Sequence, residues 1–123
     1  IEKNERIFYV GEVSVNNLVS LYKRSKYFLH LAWLDHCPNV VVDARSSGCE
    51  IICSSAGGTK EIAGLNATII NEEEWNFEPV ELYNPPKLNF TNRVKNTSDS
   101  DYNMNNIVLK YKHFIKSKKQ FGE

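Results

Sequence analysis

Two aspartates, Asp35 and Asp43, lie eight positions apart around the start of a predicted helix. Pro38 suits the first turn of a helix, because its fixed φ is already helical and no N–H is needed there. Asp35 then comes just before the helix, and Asp43 about two turns into it on a nearby face. Carboxylates offer only acceptor oxygens, so such a pair can bind the hydroxyl groups of one sugar or ribose. The free N–H groups of the helix start can bind the charged end of the same ligand.

Each aspartate also has a simpler interpretation. Asp35 could serve only to cap the helix that follows it. Asp43 is harder to explain by structure alone, because aspartate is a poor helix residue and its neighbours Val42 and Ala44 are apolar. The two acids could also be the general acid and base of a glycoside hydrolase. That chemistry requires a particular separation across the scissile bond, which a sequence does not define.

A glycine pair, Gly57-Gly58, follows a predicted strand and precedes a short predicted helix. Backbone N–H groups at such a turn can approach an oxyanion, and a purely structural turn is the alternative. The pair is not a P-loop, because the Gly-Lys-Ser/Thr signature is missing. His36 precedes Cys37, but adjacent side chains rarely aim at each other, so a Cys/His nucleophile is not predicted. The spacing of the histidines and cysteines does not predict a metal site.

The overall composition restricts the class of protein. Its 123 residues suffice for one modest domain, and 15 basic against 15 acidic residues argue against a nucleic-acid partner. The apolar runs are too short to span a membrane. Three cysteines without metal spacing predict reduced thiols in a cytoplasmic protein. Because the chain begins at Ile1 within a charged segment, we expect it to be a piece of a longer protein.

The pattern of apolar residues predicts alternating strands and helices. Val40-Val41-Val42 alone would favour a strand. Pro38 before them, Gly48 after them and the flanking strands favour a helix instead. The alternation predicts an α/β fold with a parallel sheet and right-handed crossovers. We predict strands at 6–10, 27–32, 50–54 and 67–70, the second of them covered on both faces, and helices at 15–22, 38–47 and 59–63.

The chain after residue 71 follows a different pattern. Glu72 to Trp75 predict a short helical turn, and the Pro-, Asn- and Ser-rich stretch 84–100 predicts a long irregular segment. A final helix is predicted after a cap at Asp99 or Asp101. Its lysines form either a solvated face or a contact with an anionic membrane surface, and both interpretations stay open. The apolar stripe is Met104, Ile107, Val108, Tyr111 and Ile115, and the lysines are Lys110, Lys112, Lys116, Lys118 and Lys119.

The order of these motifs resembles a known family. Asp35-x7-Asp43-Ala, then Ser47-Gly48, then Gly57-Gly58-Thr-Lys-Glu-Ile is similar to the donor-binding half of retaining GT-B glycosyltransferases of family four. The resemblance covers roughly residues 7–70. It implies a Rossmann-like parallel sheet with flanking helices, as part of the C-terminal half of a GT-B enzyme. We therefore expect one partial domain over 1–123, with a nucleotide-sugar-binding core at about 6–71 and an irregular segment plus helix at about 72–123.

The resemblance also implies roles for particular residues. Asp43 would bind the ribose hydroxyls, and Asp35 would lie near the transferred sugar as the candidate catalytic residue. The donor would be a nucleotide-diphosphate sugar, and no metal or other cofactor is expected. The loop after Asp35 would offer backbone N–H groups, except at Pro38, which has none. The implied donor-binding residues are Asp35, His36, Cys37, Asn39, Asp43, Gly57 and Gly58.

Two departures from the family pattern shape what we expect of the chain. Both acids are Asp where the family usually has Glu, so each is one methylene shorter. The family's basic pair for the diphosphate and its N-terminal acceptor domain would lie upstream of Ile1. We therefore expect this chain alone to be inactive, with that acceptor domain and a glycan, glycoconjugate or lipid-linked acceptor as partners, in the cytoplasm or at the membrane periphery. The alternative is a non-catalytic module that keeps the fold and has lost the chemistry.

Overall fold

The computed structural model describes residues 6–73, 78–79, 81, 84–97 and 104–121. Helices and strands alternate from the first helix to the third strand, and an additional strand and a long helix follow. The helices are α1 (Val15–Arg24), α2 (Asn39–Ser46), α3 (Thr59–Ile62) and α4 (Met104–Phe121). The strands are β1 (Tyr27–His30), β2 (Glu50–Ser54), β3 (Thr68–Glu72) and β4 (Leu88–Lys95).

The four strands form one mixed sheet in the order β1-β2-β3-β4. β1, β2 and β3 are parallel, with Leu29 opposite Ile52 and Cys53 opposite Ile69. β4 is antiparallel to β3, so that Val94 lies opposite Ile69. The sheet with its flanking helices is Rossmann-like, which confirms the predicted α/β class.

The hydrophobic core lies between the first three helices and the sheet. α2 contributes Val41 and Ala44, which are fully buried, and β2 contributes Ile51 and Cys53. Their burial explains why three consecutive valines form a helix here, because a helix on this face covers the sheet between two parallel strands. The core cluster is Tyr22, Val41, Ala44, Cys49, Ile51, Cys53, Ala63, Ala67 and Ile69.

The ends of the first two helices follow the local signals in the sequence. The Ser14 hydroxyl caps α1 by accepting a hydrogen bond from the Asn17 N–H at 3.3 Å. Pro38 is the N-cap residue of α2, and Gly48 follows its end with a φ of +99°. Because α2 begins at Asn39, Asp43 is its fifth residue and lies just over one turn in. The expectation that Asp43 lies about two turns into the helix was therefore wrong.

Two strand predictions near the start of the chain need correction. Residues 6–10 form no strand, and Tyr9 is 94% exposed. A strand is stabilised by pairing, and no strand of the described residues pairs with this segment. β1 ends at His30, and it is an edge strand in which Leu29 is 58% exposed. The prediction that it is covered on both faces was therefore wrong.

The predicted irregular stretch 84–100 contains β4. The signal was an alternation of apolar residues at Leu88, Phe90 and Val94, which is typical of a strand, and both faces of β4 are largely exposed in the structure. Glu72 is the last residue of β3 and does not begin a helical turn. The rest of the proposed turn, Glu74 and Trp75, lies outside the described residues, as do the two candidate caps of the last helix.

The last predicted helix is present as α4. Tyr111, Phe114 and Ile115 are more than half exposed, so their side chains are not part of the core. The described residues contain no helix with both the length and the apolarity that a bilayer crossing requires. Contact with a membrane surface stays a prediction.

Candidate functional site

The candidate site lies at the edge of the sheet where the parallel strands end. β1 leads into the loop 31–38, β2 leads into the turn 55–58, and β3 ends at Glu72. Because β1, β2 and β3 are parallel neighbours, these three segments meet at one edge. Ligands of open α/β sheets bind at this carboxyl edge. The first two segments contain most of the predicted site residues.

Asp35 is held in place by a histidine from the end of β1. The Nε2 atom of His30 lies 3.0 Å from Oδ2 of Asp35. The side chains are 16% and 35% exposed, so the pair is partly shielded but Asp35 still reaches solvent. The His30 ring stacks on Phe28, with 6.5 Å between the ring centroids. The N-cap residue of α2 is Pro38, three residues after Asp35, so Asp35 is not the cap of this helix.

The glycine pair packs directly against the backbone of the Asp35 loop. The Gly58 N–H donates to the Asp35 carbonyl oxygen at 2.9 Å. A Cβ on Gly57 would lie 2.4 Å from that same oxygen, and one on Gly58 would lie 2.0 Å from the His36 oxygen. Only glycine permits so close an approach of the two segments. The glycine pair is therefore a structural turn that packs against the Asp35 loop, and the Gly58 N–H is already bonded to the Asp35 carbonyl oxygen.

The remaining predicted residues are exposed around this contact. His36, Cys37 and Asn39 are exposed between Asp35 and the first turn of α2. Asp43 is exposed on α2 and stands apart from the backbone contacts that join the loop to the glycine pair. Burial, and after it the negative charge of Asp43, raise the pKa of the Tyr22 hydroxyl. Asp43 is therefore near enough to Tyr22 for its charge to act on that hydroxyl.

Sequence analysis missed Glu72 as a member of this edge. The Glu72 backbone N–H donates to the Ser55 hydroxyl oxygen at 3.1 Å. Burial raises the pKa of the Glu72 carboxyl, and the neighbouring polar groups of Ala56, Ser54 and Trp33 act in the opposite direction. The available signal was the apolar run that ends at Ile70, because the polar residues after a parallel strand fall at its carboxyl edge.

The chain also contains three cysteines in different environments. Cys37 is exposed, whereas Cys49 and Cys53 are buried free thiols. Burial raises the pKa of Cys53 to about 11. The Cys49 thiol donates to the Tyr22 carbonyl oxygen at 3.1 Å. Among the described residues, no three His, Cys, Asp or Glu side chains converge as a metal site would require.

We predict that iodoacetamide at pH 8 rapidly modifies one thiol of the folded chain, and all three in denaturant. Cys37 is the reactive thiol, because only the thiolate is nucleophilic and the other two thiols are buried. Mass spectrometry of labelled peptides checks this, with Cys37→Ser as the control that abolishes rapid labelling. Rapid modification of native Cys53 would contradict it.

The raised pKa of Cys53 also predicts a pH dependence of stability. Since the folded state holds the Cys53 proton more tightly than the unfolded state, the free energy of unfolding should fall as pH rises from roughly 9 to 11.

Fold and site together define a Rossmann-like α/β protein with a polar site at the carboxyl ends of its parallel strands. A family model described as glycosyl transferases group 1 matches residues 1–76. The chain therefore belongs to the group 1 glycosyltransferase family. No curated protein and no solved structure matches it significantly. The matched range includes the whole carboxyl edge from Asp35 to Glu72, whereas β4 and α4 lie beyond it.

Proposed function

We propose that this chain binds the nucleotide-diphosphate sugar donor of a retaining hexosyltransferase that acts on a glycan or glycoconjugate. The observation that carries the proposal is the anchored carboxylate of Asp35, which His30 holds at 3.0 Å at the carboxyl edge of the sheet. The neighbouring exposed residues and the start of α2 surround it with polar groups. Family membership supports the reaction type. The donor, the stereochemistry and the acceptor are parts of the proposal.

Asp35 and Asp43 bind the hydroxyl groups of the donor in this proposal. One oxygen of Asp35, Oδ2, is paired with His30, which fixes the orientation of the carboxylate and leaves Oδ1 outside that pair. Oδ1 then accepts a hydrogen bond from a hydroxyl of the transferred sugar. Asp43, exposed one turn into α2, accepts hydrogen bonds from the ribose. A carboxylate bonded to a hydroxyl group contributes about 1.5–3 kcal/mol.

The diphosphate lies near the first turn of α2 in this proposal. The Val41 N–H donates to the Pro38 carbonyl oxygen, so the first-turn N–H groups that a ligand can reach are those of Asn39 and Val40. The helix dipole places about half a positive charge at this end of α2. Both stabilise the charge that develops on the departing nucleoside diphosphate. His36 and Cys37 in the loop and Asn39 at the start of α2 bind the donor there. Gly57 and Gly58 contribute by supporting this loop, since the Gly58 N–H is already bonded to Asp35.

A second candidate is a module that binds the donor without transferring its sugar. It is favoured by the short Asp side chains at both positions, each of which is one methylene shorter than Glu. Donor binding without detectable sugar transfer by the complete enzyme would select this candidate. The acceptor and any membrane contact stay predictions under both candidates.

Amide NMR of the chain titrated with UDP-, GDP- and ADP-sugars tests donor binding. We predict shifts at residues 35–43 and 57–59 with one of the three nucleotides. Asp43→Asn should weaken that binding about tenfold or more, because each 1.4 kcal/mol corresponds to a factor of ten. Glu50→Gln is the matched control, since Glu50 is exposed at the opposite end of β2. Equal affinity of Asp43→Asn and the parent chain, or shifts confined to the opposite edge, would contradict the proposed site.

A further inference from the structure

The long helix α4 carries apolar side chains that the described part of the domain leaves exposed. Successive side chains of a helix are about 100° apart around its axis. Five apolar side chains of α4 therefore fall within an arc of about 120°. Four of the five are between 42% and 63% exposed, and the fifth, Ile107, is partly buried. This apolar arc consists of Ile107, Val108, Tyr111, Phe114 and Ile115.

Lysines border the apolar arc on both sides. Lys110 lies about 40° beyond Phe114 at one border. Lys112 lies about 40° beyond Val108 at the other border. Lys118 lies within the arc, and its Nζ atom is 5.5 Å from the centroid of the Phe114 ring. Apolar and cationic groups also share a surface cavity of about 510 Å³, which is lined by Ile107, Lys110, Tyr111 and Phe114.

The charge of α4 is opposite to that of the rest of the chain. The helix contains five lysines and no aspartate or glutamate, whereas the whole chain has 15 basic and 15 acidic residues. The remainder of the chain therefore has five more acidic than basic residues. An anionic surface attracts the helix and repels the remainder, which turns α4 toward that surface.

The lysines at its borders indicate which kind of partner covers the apolar arc. Lysine is depleted in protein–protein interfaces, whereas helices that lie on membranes combine an apolar face with a lysine-rich polar face. Lysine side chains at such a border lay their alkyl stems along the apolar surface and keep their ammonium groups among the lipid phosphates. A second copy of the chain would bring five more positive charges against the same face. An anionic bilayer matches both the apolar arc and its charged borders.

We infer that α4 is a membrane-surface helix, whose apolar arc enters the headgroup region of an anionic bilayer and whose lysines bind the lipid phosphates. Such a helix lies in the plane of the membrane surface. The inference goes beyond the proposed function and does not depend on it, because α4 lies outside residues 1–76, which match the family.

Co-sedimentation of the full chain with phospholipid vesicles tests this inference. One set of vesicles is phosphatidylcholine alone, and the other contains roughly one third phosphatidylserine. We expect the chain to bind the anionic vesicles at least about tenfold more tightly, because each lysine near such a surface contributes about fivefold. Salt should weaken this binding by screening the charges. Equal binding to both sets, or no binding to the anionic vesicles, would overturn the inference.

Phe114→Ala and Leu109→Ala form a matched pair that tests the apolar arc. Both side chains are apolar and more than half exposed, but Leu109 is about 140° from Phe114 around the helix axis and outside the arc. Phe114→Ala should weaken vesicle binding about tenfold, because the aromatic ring no longer leaves water. Leu109→Ala should change it by less than about threefold. Equal effects of the two substitutions would overturn the assignment of the arc.

A pair of double variants tests the lysines. Lys112→Gln with Lys116→Gln should weaken binding to anionic vesicles about tenfold or more. Lys60→Gln with Lys87→Gln removes the same number of exposed charges outside α4 and should not. Equal losses in the two double variants would show that net charge, and not α4, attracts the chain to the vesicles, which would overturn the inference.

Two further measurements distinguish the other partners. Polyglutamate is a soluble polyanion without an apolar phase. Binding to it as tight as to the anionic vesicles, and unchanged in Phe114→Ala, would overturn the inference in favour of an acidic protein. A dimer in sedimentation without vesicles, which Phe114→Ala dissociates, would overturn it in favour of a second copy of the chain.

Discussion

Gly58→Ala is expected to lower the free energy of unfolding by about 3 kcal/mol or more. The added Cβ would lie 2.0 Å from the His36 backbone oxygen, a distance that real Cβ atoms do not adopt. The φ of Gly58 is −93°, which any residue accepts, so the cost is steric and not conformational. Relief requires the loop that contains Asp35 to move away from the turn, which also breaks the bond between the Gly58 N–H and the Asp35 oxygen.

Gly48→Ala is the matched control for Gly58→Ala. Gly48 has a φ of +99° and nothing within 4 Å of an added Cβ, so this substitution introduces backbone strain without a collision. Its expected cost is about 1–2 kcal/mol. Urea denaturation followed by circular dichroism measures both variants. A cost for Gly58→Ala no larger than that for Gly48→Ala would show that the two segments are not packed as described.

Asn96→Asp is expected to lower the free energy of unfolding by about 2–4 kcal/mol. The Asn96 side chain is buried, and its NH₂ group donates to the Lys60 oxygen at 2.9 Å and to the Gly64 oxygen at 3.0 Å. Aspartate has the same shape but no donor, so both carbonyl oxygens would face a carboxylate. These bonds join the end of α3 to the residue that follows β4, and their loss separates two elements far apart in sequence.

Asn89→Asp is the corresponding control. The Asn89 Oδ1 accepts hydrogen bonds from the Thr91 N–H at 3.1 Å and from the Thr91 hydroxyl at 2.6 Å. An aspartate can accept both, and Asn89 is exposed, so we expect a change within about 0.5 kcal/mol. The same urea experiment compares the two variants. Similar stabilities for Asn96→Asp and Asn89→Asp would contradict the buried donor role of Asn96.

The burial of Asn96 also bears on the three Asn-x-Ser/Thr sequences at Asn66, Asn89 and Asn96. A glycosylated asparagine needs its side-chain nitrogen free at the surface. The Asn96 nitrogen is fully engaged in two hydrogen bonds of the folded chain. The sequon at Asn96 is therefore not an acceptor in the folded protein.

Local signals were sufficient for the helices and for the parallel strands around the site. Ser14 before α1, and Pro38 and Gly48 around α2, define helix ends through properties of single residues, and the structure confirms them. The same signals overrode the strand preference of Val40 to Val42. The motif from Asp35 to Gly58 was also sufficient for the family, because its spacing is a property of the chain that needs no coordinates.

Interactions between distant segments were not predictable in the same way. The segment 6–10 has strand-forming residues, yet whether it pairs depends on another strand beside it. β4 has a weak alternating pattern among Pro, Asn and Ser residues, and its pairing with β3 determines its structure. In the sequence, Glu72 is an acidic residue that would equally suit the start of a helix. Its register at the end of β3 places it at the carboxyl edge.

The sequence by itself determined the alternation of helices and strands from α1 to β3 and the family to which the chain belongs. Only the tertiary structure decided that His30 orients Asp35, that the glycine pair supports the Asp35 loop, and that Glu72 lies at the same edge of the sheet. The physical reason is the range of the interactions. Caps, turns and helix periodicity act within a few residues. A hydrogen bond between strand ends exists only after the sheet has brought those ends together.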